Sequence, residues 1–540
     1  MKKNKYIYFA VCLISASLLS SCNEMENAPT NKFTDSNFWT STEKAQRVVN
    51  MGYNQMYNAG SMWADECLSD NLFEGRGSSD QRLIRNGLAT PSLGLFSSQW
   101  SDLYGGIKTC HVFLDKIDLV PNMDPATKAR MIAEIRYIRA SIFFRLTNEY
   151  GDIPFFTEDI SLSDANSISR TKKEVVIDFI HKELDDIMNA LPIKDQLAES
   201  ERGKITKGAA CALQARVYLY DGDWANVAKY CGYLMNDQAE YGKYSLFPSY
   251  ARLFLQENEY NDEIIFDCEY APSVRTWGEM YDMAPLSVGA RLNSRAPLQS
   301  LVDSYLTLNG KSIADDPTYD ENNPYVNRDP RLTATVIYDG YKWSENVADG
   351  TTGKIIRTKP DTGTDDAYRG NNTNQSSTGY YVRKYFDPKH ESSLASSINI
   401  ITMRYADVLL MYAEAMQEQG KMTEDIWNQT IRLIRQRAGF TASTALNYPT
   451  LGDMRQIIRN ERRCELALEG LRWFDIKRWK AGTEYLNGYV YGAKFANNNT
   501  EYLQLDNRKF VESRDYLWSV PQAQMDLNSN LRPNNSGYAN

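Results

Sequence analysis

Apolar positions along this chain recur mostly at three- and four-residue steps, the spacing of one buried face on an α-helix. Met131, Ile135, Ile138, Ile142 and Leu146 form one such stripe, and Val176, Ile180, Leu184, Ile187 and Leu191 form another. Thr171 and Glu174 stand where a capping box would open the second helix, and Pro192 stands where that helix must end. Residues 207–235 read as a helical hairpin. Ala209, Ala212, Ala215 and Tyr218 lie on its first arm, Asp221-Gly222-Asp223 makes the turn, and Trp224, Val227, Ala228 and Cys231 open the second. Small residues set against aromatics let two helices approach closely, as in tetratricopeptide-type repeats. Similar arms are expected at 137–150 and 405–419, the latter followed by a second arm reaching Arg437. The predicted fold is mainly α, a tetratricopeptide-like helix-pair scaffold with irregular spacing.

Between about 260 and 400 the pattern breaks. Asp, Asn, Gly, Ser and Pro crowd 315–330 and 361–379, with only short strand-like runs at 263–268 and 334–338. A loop-rich irregular lobe with short strands and no strong core of its own is expected there, and long loops often carry function.

The N-terminus has a different grammar. Residues 1–22, MKKNKYIYFAVCLISASLLSSC, run from a basic start through an apolar stretch to small residues. That is a secretory signal, too short for a stable membrane span. Its end, Leu19-Ser20-Ser21-Cys22, resembles the bacterial lipobox, in which the cysteine becomes the lipidated first residue. The expected organisation is a signal at 1–21, a lipidated flexible tether at 22–32 and a single domain at 33–540. Within that domain the helical scaffold takes about 33–260 and 400–482, the binding lobe about 261–400, and an irregular C-terminal segment 483–540.

Charge narrows the function. Lys plus Arg is 60 against 69 Asp plus Glu. Removing the three lysines of the signal leaves 57 against 69, or −12. A phosphate backbone rewards clustered cations, so nucleic acid is not an expected partner. The three histidines, His111, His181 and His390, are far apart, which argues against a multi-histidine metal site. Asp315, Asp316, Asp320 and Glu321 offer oxygen ligands for a structural Ca²⁺ but lack EF-hand spacing, so a solvated acidic loop is the stronger reading. No other cofactor is expected. Cys67, Cys110, Cys211, Cys231, Cys268 and Cys464 remain in the mature chain, with no CxxC spacing, and are expected to be mostly free thiols.

Four stretches carry a resemblance. They are Trp100-Ser-Asp-Leu-Tyr104-Gly-Gly-Ile107 with the downstream Glu149-Tyr150-Gly151-Asp152-Ile153-Pro154; Asn327-Arg328-Asp329-Pro330-Arg331-Leu332; the run from Arg459 through Glu461, Glu465, Glu469-Gly470 and Arg472-Trp473 to Trp479; and the tail Tyr516-Leu-Trp518-Ser519-Val520-Pro521. In order and spacing they resemble the SusD/RagB-like outer-membrane lipoproteins of Bacteroidetes glycan-uptake systems. The resemblance implies a non-catalytic surface lipoprotein, held to the outer membrane by lipid and facing the exterior. It also implies that the protein closes over a SusC-like TonB-dependent transporter and delivers glycan to it. Some relatives handle peptides instead, and a surface glycoside hydrolase is a further alternative.

No catalytic signature contradicts this. Gly75-Arg-Gly77-Ser-Ser-Asp80 fails the dinucleotide pattern, and GxSxG, HExxH and P-loop motifs are absent. Glu461, Glu465 and Glu469 share one helix face, but the interleaved arginines suit structural ion pairs. Asp329 between Arg328 and Arg331 is expected to pin its loop. For binding, sugar rings need aromatic faces and hydroxyl partners. Two loop regions offer both. Asp70, Arg76 and Phe96 come from the first; Trp277, Tyr281, Tyr341 and Trp343 come from the second.

Overall fold

The computed structural model describes residues 38–76, 79–343, 353–360, 362–370, 373–387, 394–495 and 501–539. The signal, Cys22 and the tether lie outside the described residues. No helix among the described residues is long and apolar enough to cross a membrane.

The principal helices are α1 (Thr42–Asn54), α2 (Gly94–Lys116), α3 (Pro125–Tyr150), α4 (Lys173–Ile187), α5 (Lys207–Asp221), α6 (Trp224–Asn236), α7 (Tyr405–Glu418), α8 (Met454–Glu465) and α9 (Arg472–Arg478). From α2 to α8 each packs on the next, an unbroken stack of antiparallel arms. The fold is the helical, tetratricopeptide-like one that the periodicity predicts. The α5–α6 hairpin forms where small residues allow it. Thr206 accepts from the Ala209 N–H, Gly222 turns the chain at φ +75°, and Asp223 accepts from the Asn226 N–H.

Two details differ from the sequence reading. Thr171 does not cap α4. It pairs in a short strand with Ile153, and the Asp152 carboxylate accepts from the Lys173 N–H at 3.0 Å to close the helix start from outside. The charged run at 455–479 is two helices rather than one, broken by left-handed residues Leu468 (φ +63°) and Gly470 (φ +78°). A Cβ at Gly470 would sit 2.1 Å from the Tyr57 hydroxyl, so this turn requires glycine.

Among the described residues, the lobe and the C-terminal segment carry only two-stranded pieces. In one, β1 (Ile264–Cys268) pairs antiparallel with β2 (Ile400–Arg404); in another, β3 (Gly488–Tyr491) pairs with β4 (Gln504–Arg508). Contrary to expectation, the lobe has a substantial core. Trp277, Tyr281, Tyr305, Tyr341, Trp343, Tyr380, Tyr385 and Phe386 pack there with Trp63, Tyr250 and Leu468 from the scaffold. A segment poor in aliphatic residues fills its interior with aromatic ones, each burying a large area.

Scaffold and lobe are joined by buried ion pairs. Arg404 uses all five guanidinium donors, toward Glu263 (2.7 Å), Glu465 (2.6 Å), the Glu465 carbonyl (2.7 Å) and both Glu469 oxygens (2.7 and 2.8 Å). Arg331 bridges Asp329, Glu461 and Glu465 at 2.7–2.9 Å, and Arg437 reaches Glu263 and Glu465. Burial pushes the Glu465 carboxyl up, yet Arg437, Arg404 and Arg331 together hold it well below the usual carboxylate range. The three glutamates are therefore structural, as expected. Their partners, however, are Arg331, Arg404, Arg435 and Arg437 from other elements, while the interleaved Arg462, Arg463 and Arg472 pair with Asp407, Asp475 and Asp70. All six remaining cysteines are buried free thiols.

Candidate functional site

The stack leaves a cleft of about 810 Å³ between α1, α3 and α5 on one side and β1 with the turn 269–275 on the other. Its position follows from α3. Tyr137, Ser141, Arg145 and Asn148 recur at helical spacing on a helix otherwise built for the core, and all four line the cleft.

Part of the wall is locked by internal bonds. The Arg145 fork donates to both Asp65 oxygens (2.9 and 3.0 Å) and lies 4.9 Å over the Tyr57 ring, whose hydroxyl also donates to Asp65. Tyr53 donates to Glu134, Tyr260 donates to Glu269, and Tyr270 accepts from the Ala59 N–H. The Arg275 guanidinium covers the Tyr270 ring at 4.8 Å.

Other groups are left open. The Gln55 carbonyl oxygen and the Arg216 Nε are buried without a partner. The Asn148 amide and the Tyr137 and Tyr220 hydroxyls also make no hydrogen bond within the chain. Buried polar groups are normally satisfied, so the two orphans on Gln55 and Arg216, with unbonded groups of Asn148, Tyr137 and Tyr220 beside them, mark a place for water or ligand. Tyrosine faces beside free amides and hydroxyls suit a ring compound that is apolar on its faces and hydroxylated at its rim.

One edge is acidic. Asp267 and Glu269 line the cleft, and Glu259 stands beside them. Burial, with the Glu269 charge adding to it, pushes Asp267 up to about 7. Asn399 donates to Asp267 at 3.0 Å, and its N–H donates to Glu259 at 2.8 Å. A carboxyl raised in the folded state stabilises the fold fully below its unfolded value near ~3.9, and that contribution is lost as pH rises toward 7. Asp267→Asn keeps an acceptor for Asn399 and removes the charge. It is therefore expected to raise the melting temperature at pH 8 and to raise it by clearly less at pH 5, where most of the contribution is still present, as scanning calorimetry would show.

None of the seven residues expected to bind ligand lines this cleft. Trp277, Tyr281, Tyr341 and Trp343 are brought together, but inside the lobe core, each 7% exposed or less. The Trp277 indole donates to the Ile398 carbonyl (2.8 Å), and Trp343 packs on Phe386 beneath Arg383. Phe96 is buried against Trp518. Asp70 is paired with Arg463 and Arg472 (3.0 and 2.8 Å), so burial, which pushes its carboxyl up, is outweighed and the group sits at about 2. Arg76 donates to the Thr373 carbonyl and the Asn374 side chain. These rings offer no face to a sugar where they stand. The tyrosines that do line the cleft, Tyr53, Tyr57, Tyr220, Tyr260 and Tyr270, were not among the expected residues; the polar stripe on α3 was the signal in the sequence for this cleft. Asp315, Asp316 and Asp320 accept from their own loop, and no group of three or more metal-ligating side chains occurs among the described residues.

Comparison with known proteins places this geometry. Residues 262–538 match the SusD family model, and residues 23–219 match the model described as starch-binding associating with outer membrane. SusD-like protein P2 of Formosa agariphila is 27% identical, with all of both chains covered. A solved SusD-like carbohydrate binding protein from Bacteroides fragilis is 28% identical, with 92% of this chain and 100% of that one covered at a TM-score of 0.81. A laminarin binding SusD-like protein, 22% identical, shares the fold at a TM-score of 0.68, with 92% of this chain and 100% of that one covered. The resemblance carried by the four sequence stretches thus holds over the whole fold, and this chain belongs to the SusD family.

Proposed function

We propose that the protein is a non-enzymatic glycan-binding lipoprotein of the outer membrane that captures an oligosaccharide chain in the cleft and passes it to a SusC-like TonB-dependent transporter. The observation that carries this reading is the 810 Å³ cleft lined by tyrosines, in which the buried Gln55 side-chain oxygen and Arg216 Nε have no partner. The family and the carbohydrate-binding relative support it. Lipidation at Cys22 would hold the protein beside the pore and raise the effective concentration of each for the other.

A panel of polysaccharides in native gels, with product release followed on the same samples, tests the proposal. Retardation by one class without product supports it. Binding of a peptide pool with no retardation by any glycan contradicts it. Asp267 and Glu269, two carboxylates on the same edge of the cleft, favour a second reading, hydrolysis. Product release abolished in Asp267→Asn would establish that reading instead.

A further inference from the structure

The aromatic side chains of this protein are nearly all packed away. Among the described residues, only Tyr489, Tyr491 and Tyr502 are exposed, at 55%, 40% and 41%, and all three lie on or beside the β3–β4 ribbon. Tyr489 and Tyr491 stand two residues apart on one strand, roughly 6.6 Å along it. The Tyr491 and Tyr502 rings form a corner, with centroids 6.3 Å apart and planes at 59°. Gln504 faces Tyr491 across the ribbon and Asn507 faces Tyr489, both exposed. Lys494 lies 5.5 Å over the Tyr502 ring and pairs with Glu321 at 3.2 Å, and Arg82 pairs with Asp506 of β4, opposite Val490, at 3.2 Å, so the positions facing the tyrosines across the ribbon are neutral amides.

We infer that this ribbon face is a second saccharide platform, which holds a glycan chain outside the cleft. The inference rests on the glycan reading above. Exposed aromatic area is costly in water unless something covers it. Rings alternating with amides match the apolar faces and hydroxyl rims of successive sugars. Two contacts on one polymer multiply through effective concentration. A short oligosaccharide gains nothing from this, because it fills only the cleft.

The test uses detergent-solubilised full-length protein in native gels containing laminarin, xylan, mixed-linkage β-glucan or pullulan. Calorimetric titration uses a hexasaccharide of whichever polymer retards the wild type. Combining Tyr489→Ala, Tyr491→Ala and Tyr502→Ala is expected to weaken polymer binding at least tenfold, with hexasaccharide affinity within twofold and the melting temperature unchanged. Gln504→Ala with Asn507→Ala, which keeps every ring, is expected to weaken polymer binding by a smaller factor. Unchanged retardation of the triple variant overturns the inference, and so does an equal loss for polymer and hexasaccharide. Wild-type protein retarded by none of the polymers removes the glycan reading itself and this inference with it.

Discussion

Arg404→Met is expected to destabilise the protein by about 3–5 kcal/mol, the usual consequence of removing one partner from a buried ion pair. The arginine is 1% exposed and spends every donor on Glu263, Glu465 and Glu469. Methionine fills similar volume but leaves three carboxylates short of a cation in a dry environment. Arg437, Arg331 and Lys384 remain as partial partners, which keeps the loss finite. Because Glu263 stands immediately before β1 while Glu465 ends α8, the damage should appear where lobe meets scaffold. Calorimetry should show a lower melting temperature, and limited proteolysis should cut first near 260–270. The acid side responds as well. Carboxyls held low stabilise the fold above their unfolded value and lose that contribution as pH falls through the folded one. Without Arg404 the Glu465 carboxyl rises, so acid unfolding should begin at higher pH than in the wild type. Arg404→Lys keeps the charge but not the fork and should fall between the two.

Ser141→Tyr is expected to abolish oligosaccharide binding while preserving the fold. Ser141 sits on α3 at the cleft and bonds only to the Ile138 carbonyl of its own helix, so little is lost by replacing it. A tyrosine there projects into the cavity among Tyr137, Arg145 and Asn148. Affinity should fall at least a hundredfold in calorimetric titration, with a melting temperature within a few degrees of the wild type. The milder Asn148→Ala removes an amide that has no internal partner. It should cost about 1–3 kcal/mol of binding, the penalty for a hydrogen bond left unmade at a buried site, and almost nothing in stability.

The helical stack was readable from the sequence because a repeating apolar stripe determines one buried face. The stripe at 131–146 became α3, and the small residues at 209, 212 and 215 became the close arm of α5. The structural role of Glu465 was legible, but its partners were not: Arg331, Arg404 and Arg437 reach it from other elements, while the interleaved Arg462, Arg463 and Arg472 pair with Asp407, Asp475 and Asp70. The lining of the candidate cleft was not readable in this way. Trp277 and Trp343 sit among Gly, Asp and Asn, a composition that suggests an exposed loop, but whether a ring in such a loop faces solvent or core depends on contacts distant in sequence. Trp277 meets Trp63 and Tyr385, far away along the chain, and this tertiary closure buries it. The cleft also requires Tyr137, Tyr220 and Tyr270 to converge from three separate elements. Only its α3 wall left a periodic trace.

The most direct test is a crystal structure of the protein with a hexasaccharide of the polymer that retards it. The account predicts sugar density in the cleft, with rings against Tyr57, Tyr260 or Tyr270 and hydroxyls bonded to Asn148, Tyr137 or Tyr220. An empty cleft with sugar bound elsewhere on the lobe would contradict it.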